Sequence, residues 1–323
     1  MHTTKRLWGL GLIAILVAAC STTGGQASAP SPAIASAPPV TEAPGSEAPV
    51  SEAPASAEAD ICTAAEMPTV TPGTFTVGTD NPAYPPYFEI VDPPVTDPWE
   101  LGDPTTGNGF ESAFAYALAE ELGFDREAVR WIPVKFDNAY APGPKDFDVD
   151  INQISFTPER AENVDMSDGY FFINQAVVAN KDTPAAKATT LADLKEVRLG
   201  AQVGTTSLAT IQNVIKPTVD PSVYDDNTAA IAALDAKQID AIVVDLYTAF
   251  FITSAQMENG VIVGQIEQPE DADAEYFSAV LPKDSPLTAC VNQAIAALQS
   301  DGRLDAITKE WLTDKGGAPV LQP

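Results

Sequence analysis

The stretch FDVDINQISFTPERAENVDMSDGYF, Phe147 to Phe171, sets the reading of the whole chain. Its first part alternates as a strand does, with Val149 to Ile151 as the strand itself. Thr157 followed by Pro158 has the chemistry of a helix start, a hydroxyl for the N-cap and then a residue with no N–H to leave unpaired. Arg160 then projects from the first turn, beside backbone N–H groups that already favour an anion. Its planar guanidinium can grip both oxygens of a carboxylate, which a lysine ammonium cannot do as a fork. Ser155 and Thr157 add hydroxyls to the same neighbourhood. The competing reading of Arg160 is a surface ion pair with Glu159 or Glu162. Asp148, Asp150 and Asn152 have the spacing of a calcium loop, but Gln153 replaces its turn glycine and the run alternates, so no metal site is expected.

On either side of this stretch short apolar strands alternate with helical patterns, the signature of α/β layers. Strands are predicted at Phe75–Thr79, Trp131–Phe136, Val149–Ile151, Ala176–Ala179, Arg198–Ala201, Ile239–Val244 and Phe277–Leu281. GFESAFAYALAEELG places Phe110, Phe114, Leu118 and Leu122 at steps of four and ends at Gly123, a helix stop. Asn227 is the expected cap of a second helix, and Pro286–Ser300 carries an Ala-rich third. The 263 residues from Ile61 onward suit two lobes of about 100 to 150 residues each. Asp92–Gly109 reads as a long irregular loop, in which Trp99 either covers something or packs against the surface. Asp245 ends an apolar strand, where a carboxylate points out of the sheet edge at which ligands collect; the alternative is an ordinary strand-end acid. Gly204, Thr205 and Thr206 form a turn before a helix starting near Ser207.

The chain has 323 residues, 45% hydrophobic and 19% charged, enough for a sizeable core. With 17 Lys and Arg against 45 Asp and Glu the formal charge is −28, which repels phosphate backbones and argues against a nucleic-acid partner. The single histidine is His2, inside a segment expected to be removed. Ser-His-Asp and Cys-His catalysis and histidine-ligated zinc are thereby excluded from the mature chain. Lys5 and Arg6 precede an apolar run, Leu7–Ala19, with the length of a signal-peptide core and too short for a membrane span. Residues 1–19 are therefore expected to be an export signal. The run ends Val17-Ala18-Ala19-Cys20, which resembles the lipobox of bacterial lipoproteins and implies a diacylated Cys20. Residues 20–60, rich in Ala, Pro, Ser and Glu with the near-repeat TEAPG, SEAPV, SEAPA, are expected to form a disordered tether about 35 Å long. Cys62 and Cys290, both in an exported chain, are expected to pair as a disulfide that staples the start of the domain to a helix near its end.

Four segments, VGTDNPAYPPYFE (Val77–Glu89), GFESAFAYALAEELG (Gly109–Gly123), the stretch Phe147–Phe171, and LGAQVGTTS (Leu199–Ser207) followed by IDAIVVD (Ile239–Asp245), occur in this order. Together they resemble the polar amino-acid branch of the bacterial extracellular solute-binding proteins, family 3, over residues 70–315. The most specific element is S-x-T-x-x-R with Asp165-x-Ser167 downstream. The resemblance implies a two-lobed type II periplasmic-binding-protein fold of the α/β class. Residues 61–180 would form most of lobe 1, 181–275 lobe 2, and 276–323 would return to lobe 1. Two crossing strands, near Val177–Lys181 and Tyr276–Pro282, would serve as the hinge. It further implies that Arg160 and Ser155 bind a ligand α-carboxylate, that Asp245 accepts the α-ammonium, and that Thr205 and Thr206 close from the second lobe. Tyr84 and Phe136 would sandwich the ligand side chain, with Asp80, Gln153 and Gln202 beside it; strand-end aromatics are otherwise core residues. The chain departs from the pattern at PAYPPY, which carries an extra residue, at Ala113, where an acid is usual, and at Gln153 and Val244.

The implied function is the substrate-binding component of an ABC importer, held on the outer face of the cytoplasmic membrane, taking a polar L-amino acid with an amide or cationic side chain. It would be a monomer without cofactor that delivers its ligand to a membrane permease. The alternatives are an enzyme on the same fold, such as a dehydratase, or a ligand-sensing module. No G-x-x-x-x-G-K-[ST] run occurs, so ATP hydrolysis through a P-loop falls to a separate subunit.

Overall fold

The computed structural model describes residues 62–90, 97–267, 274–312 and 317–323. The expected signal segment, Cys20 and the tether lie outside the described residues. Along the chain run β1 (Phe75–Thr79), α1 (Phe110–Glu121), β2 (Val129–Pro133), α2 (Phe136–Ala139), β3 (Val149–Asp150), α3 (Pro158–Ala161), β4 (Asp165–Met166), β5 (Phe171–Phe172) and β6 (Gln175–Asn180). They are followed by β7 (Leu199–Gln202), α4 (Thr206–Thr210), β8 (Ser222–Tyr224), α5 (Asn227–Asp235), β9 (Ala241–Asp245), α6 (Leu246–Phe251) and β10 (Gly260–Ile266). The last elements are β11 (Tyr276–Phe277), β12 (Val280–Leu281), α7 (Thr288–Ser300) and α8 (Arg303–Trp311). Among the described residues no helix is long and apolar enough to cross a membrane.

Two five-stranded sheets organise these elements, in the orders β2-β1-β3-β12-β4 and β10-β6-β9-β7-β8. In the first, β1 lies between β2 and β3, parallel to both, and all five of its residues are buried. The helix α1 covers this sheet because Phe110, Phe114 and Leu118 share one face, as their spacing predicts. Its start is crowded: Gly109 has φ +100°, and a Cβ there would stand 2.4 Å from the Tyr87 carbonyl oxygen, so only glycine fits. Cys62 and Cys290 are joined, with Cα atoms 5.2 Å apart, tying the start of the described chain to α7. Trp99 is buried in the same core, so its role is packing.

The sheets correct the expected boundaries. Strand β6, expected to close lobe 1, pairs with β9 and β10 in the second sheet. The two chain segments joining the sheets meet earlier, where β5 and β11 form a separate antiparallel pair, Phe171 opposite Phe277 and Phe172 opposite Tyr276. The apolar run around Val177 looks the same from sequence whichever lobe it enters, so its alternation could not place the crossing. The tail is corrected too: residues 276–312 return to the first lobe, but Val320 bridges to Gln265, Gln322 bridges to Thr190, and Leu321 packs in the core of the second. Phe136, read as a strand end, instead opens the short helix α2.

Candidate functional site

The C-terminal ends of the parallel strands from both sheets face one another, and the chemistry collects there. Asp80 follows β1, Gln153 and Ser155 follow β3, Gln202 ends β7, and Asp245 ends β9. A cavity of about 40 Å³ between them is lined by Asp80, Tyr84, Phe136, Gln153, Gln202, Thr205, Thr206 and Asp245, all expected from the sequence. That is room for a few waters. A second chamber of about 190 Å³ continues from it past Asp80, Phe136, Gln202 and Asp226 toward Lys135, Asp137 and Asp225.

Arg160 and Ser155 stand just outside the cavity wall. Thr157 caps α3 by accepting the Arg160 backbone N–H, as predicted, and Arg160 is buried. Its guanidinium lies against the rings of Tyr140 and Phe136, 4.5 and 5.5 Å from their centroids. One nitrogen donates to the Ser155 carbonyl, and Nη2 donates to the Gly204 carbonyl of the second lobe at 2.8 Å. Tyr140 Oη donates to the same carbonyl at 3.1 Å. Gly204 has φ +72°, and a Cβ there would sit 2.3 Å from the Tyr140 hydroxyl, so the close approach of the lobes needs glycine. Tyr84 Oη and Thr228 Oγ1, 2.7 Å apart, join the lobes at the other side of the cleft.

The remaining expected residues divide by what their polar atoms already do. Thr205 caps α4 by accepting from the Leu208 N–H, and its hydroxyl donates to the Gln202 carbonyl. Thr206 Oγ1 lies 3.5 Å from Ser155 Oγ. Gln153, held at φ +49°, turns its amide to Glu111, whose carboxylate also accepts the Gln153 backbone N–H at 2.7 Å. Asp245 Oδ1 accepts from Gln175 Nε2 at 2.8 Å, because the β6–β9 register sets these two residues opposite one another.

Sequence reasoning missed Gln175, Glu111, Tyr140 and Glu275. Gln175 is fully buried and accepts from Ser207 Oγ at 2.6 Å, so one amide links the expected ammonium acceptor to the turn of the second lobe. A lone amide at the head of an apolar strand was the available signal. Tyr140 follows Phe136 by four residues, a spacing that stacks two side chains on one helical face.

Burial sets the electrostatics. It pushes the Asp80 carboxyl up to about 6, helped by Asp226 and Asp137 and opposed by hydrogen bonds from the Asn81 N–H and Gln202. Burial pushes Glu111 up to about 7 against donors from Tyr170 and Gln153. Asp245 rises to about 8, first through burial and then through the nearby charge of Glu275, while Gln175 and Arg160 oppose the rise. Asp150, fully buried on β3 with neither carboxylate oxygen hydrogen-bonded, is pushed well above the ordinary carboxylate range by burial. Among the described residues no cluster of His, Cys, Asp or Glu has the form of a metal site.

Known proteins resemble this chain in sequence and in fold. The chain is 30% identical over 242 residues, 74% of its length and 82% of the relative's, to the L-cystine-binding protein TcyJ of Escherichia coli (strain K12). It is 26% identical to the arginine-binding extracellular protein ArtP of Bacillus subtilis (strain 168), covering 67% of this chain and 82% of that one. An ancestral arginine-binding protein bound to glutamine superposes with a TM-score of 0.61 at 28% identity, over 76% of this chain and all of the other. The fold is thus the two-lobed type II periplasmic-binding-protein fold. Residues 90–314 match the sequence profile of the bacterial extracellular solute-binding proteins, family 3, and the chain belongs to that family.

Proposed function

We propose that this chain is the extracytoplasmic substrate-binding component of an ABC importer, tethered through Cys20, and that it captures a polar L-amino acid by closure of its two lobes and presents it to a membrane permease. One observation carries the reading: eight residues expected for the ligand line a single cavity between the lobes, and Arg160 donates to the Gly204 carbonyl, next in the chain to the wall residues Thr205 and Thr206. A zwitterion needs a fixed cation with N–H donors at one end and a carboxylate at the other. Arg160 and Asp245 are the groups in reach, and each feels the charge of the other. Release of the Gly204 carbonyl as the lobes part frees a guanidinium nitrogen for the α-carboxylate, while Asp245, held by Gln175, accepts the α-ammonium. The cavity must widen to admit the ligand, which makes hinge motion at β5 and β11 part of binding.

Charge-assisted hydrogen bonds contribute about 1.5 to 3 kcal/mol each, and micromolar affinity requires only about 8 kcal/mol, so a few such contacts with Tyr84 and Phe136 suffice. Asp80 and the acids of the outer chamber favour a side chain that ends in a cation or an amide. The test is a thermal-shift screen of the twenty amino acids and cystine against the chain lacking its signal segment. A ligand at 100 times its dissociation constant adds about 2.7 kcal/mol of stability, a shift of several degrees. Stabilisation by arginine, lysine, glutamine or cystine is expected; no shift with any of them sinks the reading.

A further inference from the structure

We infer that Glu275, the residue before the hinge strand β11, is a second acceptor for the ligand's α-ammonium and acts as a pair with Asp245. This rests on the amino-acid-binding reading above. The side chain stands between the two halves of the clamp. Ser155 Oγ donates to Glu275 Oε1 at 2.6 Å, and Gln175 Nε2, which holds Asp245 at 2.8 Å, also lies 3.2 and 3.4 Å from the two Glu275 oxygens. One buried amide thus holds two carboxylates on a common side. Like charges brought together in this way repel one another, and a cation placed between them relieves both.

The position is fixed by the backbone. Residues 154–156 run antiparallel to the strand entering the hinge: the Phe156 N–H donates to the Tyr276 carbonyl at 3.0 Å, the Ser278 N–H donates to the Ile154 carbonyl at 2.9 Å, and Ser155 bridges Phe277. Glu275 is therefore held beside Ser155 by the local chain. Thr206, on the cavity wall, also borders the groove that Glu275 lines. In a zwitterion the ammonium and carboxylate are attached to one carbon. A carboxylate acceptor next to the hydroxyl that assists Arg160 stands where the ammonium falls once the ligand carboxylate is on the guanidinium. For a ligand bearing only the carboxylate, the same acceptor is repulsive.

That difference in sign gives the test. Isothermal titration calorimetry of the chain and of its Glu275→Gln and Glu275→Asp variants is run with L-arginine, L-glutamine and the desamino counterpart of each, in which hydrogen replaces the α-ammonium. Glu275→Gln is expected to weaken the binding amino acid by about 10- to 100-fold, the worth of one charge-assisted contact, and to leave its desamino counterpart bound equally or better. Glu275→Asp, which keeps the charge but draws it back, is expected to fall between. Equal weakening of both ligand types shows that Glu275 only shapes the site and overturns the proposal, as does the absence of any effect. Should the unmodified chain bind neither but bind lysine or cystine, the same comparison is made with that amino acid and its desamino counterpart; should it bind none of the four, the functional reading fails first and the proposal falls with it. Asp245→Asn, run in parallel, separates the cases: loss of amino-acid binding there without loss in Glu275→Gln leaves Asp245 as sole acceptor.

Discussion

The first lobe packs Phe75, Phe88, Phe110, Phe114 and Trp131 into its core and buries Glu111, Asp148, Asp150 and Arg160 beside them. The second lobe is built otherwise. One of its two cores is Val177, Leu194, Leu199, Ile211, Val243 and their neighbours without an aromatic ring, and, Asp245 at the cleft apart, the polar side chains it buries are amides and hydroxyls: Gln175, Asn180, Gln202, Ser207, Thr210 and Thr248. Rigid rings and a disulfide can hold buried ionisable groups in fixed positions at a cost the large aromatic surface offsets. The first lobe thus brings the buried Arg160 guanidinium to the cleft, and the second lobe faces it with the Gly204 carbonyl, the Thr205 and Thr206 hydroxyls and the acids Asp226 and Asp245.

This contrast can be broken most directly at Arg160. Arg160→Met keeps the length and apolar stem but removes the charge, and affinity for the binding amino acid is expected to fall by about a thousandfold in calorimetry, the worth of two charge-assisted contacts. A tenfold loss or less would mean that the second lobe carries the binding.

A second effect is in stability. Asp80, Glu111 and Asp245 hold protons up to about 6, 7 and 8 when folded, but release them in the ordinary carboxylate range when unfolded. The folded chain therefore binds more protons between about pH 4 and 8, and this contribution to stability falls as pH rises through that window. The thermal midpoint is expected to be lower at pH 8 than at pH 5; a rise instead would show these acids to be ionised and well compensated. Asp150→Val sharpens the point, since it removes an unpartnered buried carboxyl from a strand, and denaturant unfolding is expected to show about 1 to 3 kcal/mol of stabilisation. The smallest effect is at the surface of the second lobe, where Arg198 pairs with Asp240 at 2.6 Å. Arg198→Ala is expected to leave the midpoint unchanged within error, because exposed ion pairs contribute little; a large loss would mean that charge matters to both lobes alike.

What the sequence makes legible is local chemistry. The stripe of α1, the Thr157 cap and the strand ending at Asp245 follow from periodicity, capping and sheet-edge rules, and the structure has them where those rules place them. What it hides depends on long-range reversal of the chain. Gln175 is an unremarkable amide until β6 turns back along β9, and Glu275 acquires neighbours only because the chain entering β11 lies beside Ser155. Gly260–Ile266 does not stand out as a strand in the sequence, because its partner residues lie near Val178 and Val320, far along the chain in both directions. Glu111 is hidden in the sequence because an amphipathic stripe predicts which face is apolar and says nothing of an acid buried beside it.

The chain end leaves a mechanical mark. Leu312 is anchored in the first lobe and residues 318–322 in the second, so these two anchors are joined by a short length of chain in addition to the two hinge segments. The five Cα-to-Cα steps from residue 312 to residue 317 reach at most about 18 Å when fully extended. This short leash caps how far the lobes can separate along that edge, so any wide gape has to swing about it like a door on its post.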